Sequence, residues 1–257
     1  MINGLFLKVG HMIDTRVLRR WSRLGNRANA LDLASLRRLR NKAAAFRRRM
    51  DRILHAADGR LALPHMGSNA IQKPLGTDWA YRPEPWRGSL PLPGQVAVES
   101  RTQIGREATI FHDCKVSELT YRQVRNLREQ DLAPFGLRMD VFRFDGSFLS
   151  LVIDLPSDGV KGLEKRHLIR MDTIVELEKP LEIFARLNVR HGPNTEQIVR
   201  ELPLTGDEMS VEFDLAYTRL NEKRVEKMWL DLIFEGPEMN QITLRDLTIT
   251  RRPRAEI

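Results

Sequence analysis

Beyond Gly94 the apolar side chains of this chain recur at every second position, and no other sequence feature constrains its fold more strongly. Between residues 181 and 190, Leu181 and each second residue after it are apolar, and most positions between them are polar. Successive side chains of a strand point to opposite faces, so this pattern predicts a strand with one buried face. Residues 149–155, 211–215 and 228–234 show the same period. We therefore expect residues 96–257 to form a β domain.

Turn signals separate these runs and indicate how the strands are connected. The motifs LPSDG, HGPN, LPLTGDE and EGPEMN are rich in the residues that turns favour. Asp145-Gly146 is a pair favoured in two-residue hairpins, so we expect a hairpin there. Together these features predict about seven to nine strands in a mainly β fold, an antiparallel β-sandwich of jelly-roll-like form.

Two places in this domain depart from simple alternation. The apolar phase slips between Leu244 and Leu247, which predicts a β-bulge near Arg245 and Asp246. The sequence SELTYRQVRNLREQD, within residues 116–131, is more typical of a helix than of a strand. A helical piece is therefore expected to interrupt the sandwich.

Residues 1–60 show helical spacing and are predicted to form an N-terminal α-helical arm. A short helix is expected after Asp14, a candidate cap, and it should stop near Gly25. A longer helix is expected from about Asp32 to just before Gly59. Its apolar residues are spaced alternately three and four apart and define a heptad assembly seam: Leu36, Leu39, Ala43, Phe46, Met50 and Ile53.

The same arm carries the positive charge of the protein. Residues 1–60 contain 15 Lys or Arg and 4 acidic residues, net +11, whereas the rest of the chain is net −3. Arginines opposite the seam repel one another, so we expect the arm to need a partner. The seam can pack within its own chain or against another chain, and both interpretations stay open. Nucleic acid is not the expected partner, because no known motif or aromatic interleaving accompanies the arginines.

Residues 61–95 are predicted to be a Pro-rich linker. Six prolines among several glycines exclude a helix or a central strand. The segment nevertheless contains Trp79, Tyr81 and Trp86, large apolar groups that a solvated linker does not keep exposed. We expect these three residues to dock on a surface, and the chain's own sandwich is the favoured one.

Catalytic and metal-binding patterns are weak throughout the sequence. The six histidines have no spacing that makes a metal site, and we expect neither a metal nor another cofactor. The cluster around His112 and Cys114 lacks an orienting partner and elbow glycines, so a catalytic thiol is not predicted. The single cysteine excludes an internal disulfide, and neither a secretory signal nor a membrane span is predicted. The chain is expected to be made in the cytoplasm.

The outward faces of two predicted strands hold the remaining candidate site residues. Glu212 and Asp214 share one face, as in a sandwich-fold glycosidase, but a third carboxylate is missing further along it. Trp229 and Asp231 share the outer face of another strand. Trp229 can be a platform for a sugar, a contact between protomers or the dock for the linker. We predict that the protein is not an enzyme.

Three parts of the chain together resemble an uncharacterised bacterial family associated with head spikes of gene transfer agents, which are phage-like particles. They are TDWAYRPEPWRGSL, MWLDLIFEGPEMNQITLRDLTITRRPRA and the Arg-rich helix, and the likeness runs from about residue 15 to the end. The resemblance implies a protein like a head-spike base, without catalytic residues. It also implies a capsid protein and a fibre protein as partners, and a place in a phage-like particle.

These observations lead to three hypotheses about function. The first is a non-enzymatic structural adaptor that assembles as a ring and joins a capsid vertex to a fibre or receptor-binding protein. The second is a carbohydrate-binding β-sandwich module that uses Trp229. The third is a sandwich-fold glycosidase that relies on Glu212, Asp214 or Asp231.

Overall fold

The computed structural model describes residues 16–61, 70–203, 206 and 208–254. It divides the chain into two compact units, residues 1–54 and residues 55–257. The candidate cap Asp14 and the linker residues 62–69 lie outside the described residues. The sequence placed the boundary after residue 60, six residues later than this division.

The first unit consists of helices. Helix α1 covers residues 16–27, a single 3-10 turn covers Ala28–Ala30, and helix α2 begins in this unit and covers Leu33–Leu61. The carboxylate of Asp32 accepts a hydrogen bond from the backbone N–H of Ser35 at 2.9 Å, which confirms the predicted start of α2. The predicted end is wrong, because α2 continues through Gly59, a residue that a helix tolerates at a cost of about 1 kcal/mol. None of the described helices is long and apolar enough to cross a membrane.

The second unit contains thirteen described strands, more than the sequence predicted, because several are only two or three residues long. A four-residue helix, α3 (Glu84–Arg87), lies between the first two strands. The strands are β1 Trp79–Tyr81, β2 Gly94–Gln95, β3 Thr102–Ile104, β4 Ala108–His112, β5 Leu119–Arg125, β6 Phe135–Val141, β7 Leu149–Asp154, β8 His167–Leu177, β9 Ile183–His191, β10 Asn194–Glu201, β11 Glu208–Asp214, β12 Val225–Phe234 and β13 Asn240–Pro253.

The strands form two antiparallel sheets. Sheet A has the order β11-β8-β13-β6-β5-β2, and β1 pairs with the later part of β13, beyond the part that pairs with β6. Sheet B has the order β10-β9-β12-β7-β4-β3. The unit is therefore a mainly β, sandwich-like fold, as the alternation predicted.

The core lies between the inner faces of the two sheets. Every apolar position that the alternation assigned to an inner face in residues 149–155, 181–189, 211–215 and 228–234 is buried. Phe213 and Phe234 are among the largest fully buried side chains. Burial of this area supplies the main stabilisation of the sandwich.

Two local predictions are wrong. Residues 119–125 form strand β5 instead of a helix, because Leu119 and Tyr121 point into the core and each is 1% exposed. Asp145-Gly146 does not close a hairpin, since it connects β6 of sheet A to β7 of sheet B. A Cβ atom at Gly146 would lie 2.5 Å from a carboxylate oxygen of Asp113 and 3.0 Å from the backbone nitrogen of Cys114, so a larger residue would displace its neighbours.

The predicted bulge is confirmed. The register between β13 and β8 shifts between Leu244 and Asp246, so that Arg245 is the extra residue. The bulge moves the apolar phase by one residue, which returns Leu247 and Ile249 to the core. It also frees backbone groups that need other partners.

Candidate functional site

The segment predicted as a linker is fastened to the sandwich from Trp79 onward. Trp79 and Tyr81 lie in β1 with parallel rings 5.8 Å apart, and Trp86 is fully buried. The indole N–H of Trp86 donates to the freed backbone carbonyl of Leu244 at 2.9 Å. The exclusion of helix from this segment is corrected by α3, whose first turn accommodates Pro85 because the N–H groups there have no partner in the helix.

A buried ion pair holds the same segment at the bulge. Arg82 Nε and Nη2 donate to the two carboxylate oxygens of Asp246, each at 2.8 Å, and the two side chains are 4% and 11% exposed. The backbone N–H of Leu247 donates to Asp246 as well, at 2.8 Å. The side-chain amide of Asn126 donates to the freed carbonyl of Arg245 at 2.8 Å. The bulge is thus a docking point for the segment around Trp86.

Tyr81 extends this attachment to sheet B. Its hydroxyl donates to Glu107 at 2.7 Å, and Glu107 also accepts the backbone N–H of Glu84 at 2.7 Å. Burial, with the neighbouring Glu107 carboxylate as a smaller cause, raises the pKa of Tyr81 to about 12. The phenol therefore stays protonated and keeps donating over the whole neutral range.

The outer face of sheet B carries the predicted pair Trp229 and Asp231. Trp229 is half-buried on the central strand β12, opposite Asn188 of β9 and Asp154 of β7. The ammonium group of Lys227 lies 5.6 Å from the centre of the indole ring. Trp229 thus faces outward as the alternation predicted, with polar side chains on both sides.

Asp231 lies deeper in this face than the sequence indicated. Its side chain is 3% exposed, and one oxygen accepts from Arg186 Nη2 at 2.6 Å and from Asn188 at 3.1 Å. The other oxygen is buried and has no hydrogen-bond partner among the described residues. Asp231 is therefore held within the sheet through one oxygen only.

The three carboxylates of the glycosidase hypothesis do not come together. Glu212 and Asp214 lie on β11 of sheet A, and Asp231 lies on the other sheet. Glu212 pairs with Arg252 at 3.0 Å, and Asp214 pairs with Arg254 at 3.3 Å. Each of these carboxylates is held by an arginine, so the structure assembles no two of them across a cleft.

The His112 and Cys114 cluster is held by backbone contacts. His112 Nδ1 accepts the backbone N–H of Cys114 at 3.2 Å, and Nε2 therefore donates to the carbonyl of Val98 at 2.8 Å. Burial raises the pKa of the Cys114 thiol, and the nearby Asp145 and Asp113 carboxylates add to the rise. A nucleophilic thiol needs the opposite shift. Within the described part of the chain, no group of His, Cys, Asp and Glu could hold a metal ion.

The helical unit exposes much of its apolar surface. No side chain of residues 16–54 whose exposure is described is fully buried. Leu36, Leu39 and Ala43 of the seam are half-buried, and Trp21 of α1 contacts Phe46 with ring centres 5.7 Å apart. The later seam residues are exposed: Phe46 by 40%, Met50 by 39% and Ile53 by 61%.

Arginines surround this apolar surface. In the described part of the arm only one ion pair forms, between Arg47 and Asp51 at 3.4 Å. Five arginines of α1 line one shallow groove beside Leu24: Arg16, Arg19, Arg20, Arg23 and Arg27. The arm therefore presents unpaired positive charge next to exposed apolar side chains, a combination that favours an anionic and partly apolar partner.

A polar cavity on the outer face of sheet A was not predicted. Its volume is about 420 Å³, and it lies between β8, β11, β13, residues 72–74 and residues 130–132. The sequence signal was slight, because the lining residues, Arg82 among them, come from six separate segments. Arg82 was the one local sign of this site in the sequence. A charged residue within an otherwise apolar docking motif indicates a buried acidic partner, which lies at the bulge.

The fold and these surfaces define an antiparallel β-sandwich protein with a basic helical arm and polar outer faces. The chain belongs to the family of unknown function DUF6478, which it matches over residues 3–257. Comparison with curated proteins finds no match.

Several solved structures are similar to part of the chain. The Family 11 carbohydrate-binding module from Clostridium thermocellum is 10% identical, with 65% of this chain and 99% of that chain covered and a TM-score of 0.39. The CBM22-1 xylan-binding domain from Paenibacillus barcinonensis Xyn10C is 12% identical, with 65% and 97% covered and a TM-score of 0.37.

A third similar structure is the enzymatically active domain of bacteriophage CBA120 tailspike protein 4. It is 5% identical, with 56% of this chain covered and a TM-score of 0.41. The match spans only 19% of that chain. Similarity at this level does not extend to function.

Proposed function

We propose that the protein is a non-enzymatic structural adaptor of a phage-like particle, resembling a head-spike base. The observation that carries the proposal is the arm, in which exposed seam residues lie beside unpaired arginines. A surface of this kind costs stability in an isolated chain and is useful when a partner covers it. In the proposed role the arm binds a capsid protein, and the outer faces of the sandwich bind a fibre protein.

The proposal includes self-association into a ring and release from the cytoplasm as part of the particle. It is tested by mass spectrometry of particles purified from the producing cells. We expect the protein in stoichiometric amounts relative to the other spike components. Its absence from pure, intact particles contradicts the proposal.

Salt distinguishes the two ways in which the seam can be covered. If two arms pair through their seams, added salt screens the repulsion between arginines and strengthens the assembly. If the arm seats on an acidic protein surface, added salt weakens the complex. Light scattering of the intact protein at two salt concentrations measures the first case. The amount of the protein that stays bound to the particles at the same two salt concentrations measures the second.

Carbohydrate binding is the second candidate function, favoured by Trp229 at the centre of the outer face of sheet B. The half-buried indole can stack on a sugar ring, while the neighbouring Asp154 carboxylate, whose side chain is 48% exposed, accepts from its hydroxyls. Trp229→Ala should then abolish retention on an immobilised polysaccharide. Unchanged retention of that folded variant contradicts this candidate.

We also propose the jelly-roll description of the sandwich. Strands β8 and β11 pair in sheet A, and β9 and β10, which follow one another between them, pair in sheet B. The same relation holds for β6 with β13 in sheet A and for β7 with β12 in sheet B. Antiparallel strand pairs that are folded across two sheets in this way are typical of a jelly roll.

A further inference from the structure

The polar cavity on sheet A has the size and the buried floor of a ligand pocket. Its volume of about 420 Å³ lies within the usual range for small-molecule sites. The floor includes Thr173, Asp246 and Thr248, which are 2%, 8% and 6% exposed. A cavity with a buried floor shields its occupant from water, which strengthens polar contacts.

The charges that line the cavity are balanced. Three side chains are positive and three are negative: Lys73, Arg82, Arg170, Asp172, Glu208 and Asp246. Four of them form two internal pairs, Arg82 with Asp246 and Arg170 with Asp172. Bonding to Asp172 raises the pKa of Arg170, so this pair stays charged. The lining therefore favours an uncharged polar ligand over an anion or a cation.

Hydroxyl and amide groups complete the polar lining. The side chains of Gln72, Gln130, Ser210 and Thr248 make no hydrogen bond to another described residue. Hydroxyl and carboxamide groups can both donate and accept, which matches the hydroxyl groups of a sugar. Leu132 and Ile174 lie among them and can contact the C–H face of a sugar ring.

We propose that this cavity binds a neutral sugar, a mono- or disaccharide held by Thr248, Ser210 and the two glutamines. The site lies on sheet A, so it is distinct from the Trp229 face and independent of the adaptor role. Arg82 contributes from the docked linker, and occupancy of the cavity therefore joins this segment more firmly to the sandwich.

The proposal is tested by titrating the full-length protein with glucose, galactose, mannose, N-acetylglucosamine and their β-1,4-linked disaccharides, followed by ¹H–¹⁵N NMR. At least one of them should shift the amide signals around residues 210 and 248. Thr248→Val should weaken binding of that sugar about tenfold, because it removes one hydrogen-bonding hydroxyl. Ser210→Phe should abolish binding because the aromatic ring fills the cavity.

The matched control is Trp229→Ala on the other sheet, which should bind the same sugar with unchanged affinity. The proposal is overturned if no sugar in the panel shifts these signals, or if Ser210→Phe binds as tightly as the natural protein. It is also overturned if glucuronic acid or glucosamine binds more than about tenfold better than glucose, since the ligand is then charged. Shifts confined to the Trp229 face support the second candidate function instead.

Discussion

Tyr121 has a buried hydroxyl group without a hydrogen-bond partner among the described residues. The side chain is 1% exposed, and burial raises the pKa of its phenol. A buried hydroxyl that makes no hydrogen bond has lost its bonds to water without replacement, which costs free energy. The ring, by contrast, fills the core next to β6.

Tyr121→Phe is therefore expected to leave the free energy of unfolding unchanged or to raise it by up to about 1 kcal/mol. The measurement is urea denaturation followed by fluorescence. Tyr81→Phe is the matched control, because it loses the bond to Glu107 and should lower the free energy of unfolding by about 1 kcal/mol. A clear loss of stability in Tyr121→Phe contradicts this account.

Tyr81 also predicts how stability depends on alkaline pH. Its pKa is about 12 in the folded protein, whereas an unfolded tyrosine ionises near about pH 10. Between these values the folded state holds a proton that the unfolded state has released, so stability falls as pH rises. Tyr81→Phe should lose less stability over this range in thermal unfolding experiments. Identical slopes for the two proteins disprove the assignment.

The bulge in β13 acts as an element that joins the linker segment to the sandwich. Its carbonyls accept from Trp86 and Asn126, and Asp246 receives Arg82. A regular strand has its backbone groups paired within the sheet, whereas a bulge leaves some available. The irregularity therefore provides the polar partners that the docked segment needs.

Asp246→Asn should lower the free energy of unfolding by about 3–5 kcal/mol, because it leaves the charge of Arg82 buried without its counter-ion. Limited proteolysis within residues 70–95 should become faster as the segment detaches. Asp158→Asn is the control, since Asp158 pairs with Lys161 at 70% exposure and should change stability by at most about 1 kcal/mol. Equal effects of the two substitutions count against a role for the bulge in docking.

The whole molecule combines a well-buried sandwich with an arm that contains no fully buried described side chain. Substitutions in the sandwich should therefore change mainly the free energy of unfolding, and substitutions in the arm should change mainly the binding of a partner. Apolar residues of the arm at Ile53 and Leu54 are 61% and 57% exposed, whereas Ile153 in the sandwich is fully buried. Large exposed apolar groups of this kind are typical of interaction surfaces.

The double variant Ile53→Ser and Leu54→Ser should change the free energy of unfolding by less than about 0.5 kcal/mol for each substitution. If the arm binds the capsid protein, the same variant should be missing from purified phage-like particles. Ile153→Ala is the comparison for stability and should cost about 2–5 kcal/mol. Incorporation of the arm variant at the level of the natural protein contradicts the proposed role of the seam.

The local spacing of apolar residues was sufficient to predict much of this fold. The alternation in residues 181–189 and 228–234 identified inner faces correctly, because side chains of a strand alternate whatever its neighbours are. The slip between Leu244 and Leu247 located the bulge for the same reason, and the 3-4 spacing located α2. These features depend on residues that are close together in the sequence, and the sequence by itself determined them.

Only the tertiary structure decided which strands are neighbours and which polar groups meet. Residues 119–125 became a strand because β6 and the core accept Leu119 and Tyr121, against the local helical tendency. Asp145-Gly146 joins two sheets because its flanking strands find partners elsewhere. The pairing of Arg82 with Asp246 and the cavity beside it combine residues more than 160 positions apart. Contacts of that kind leave no period in the sequence, since they arise from the packing of whole elements.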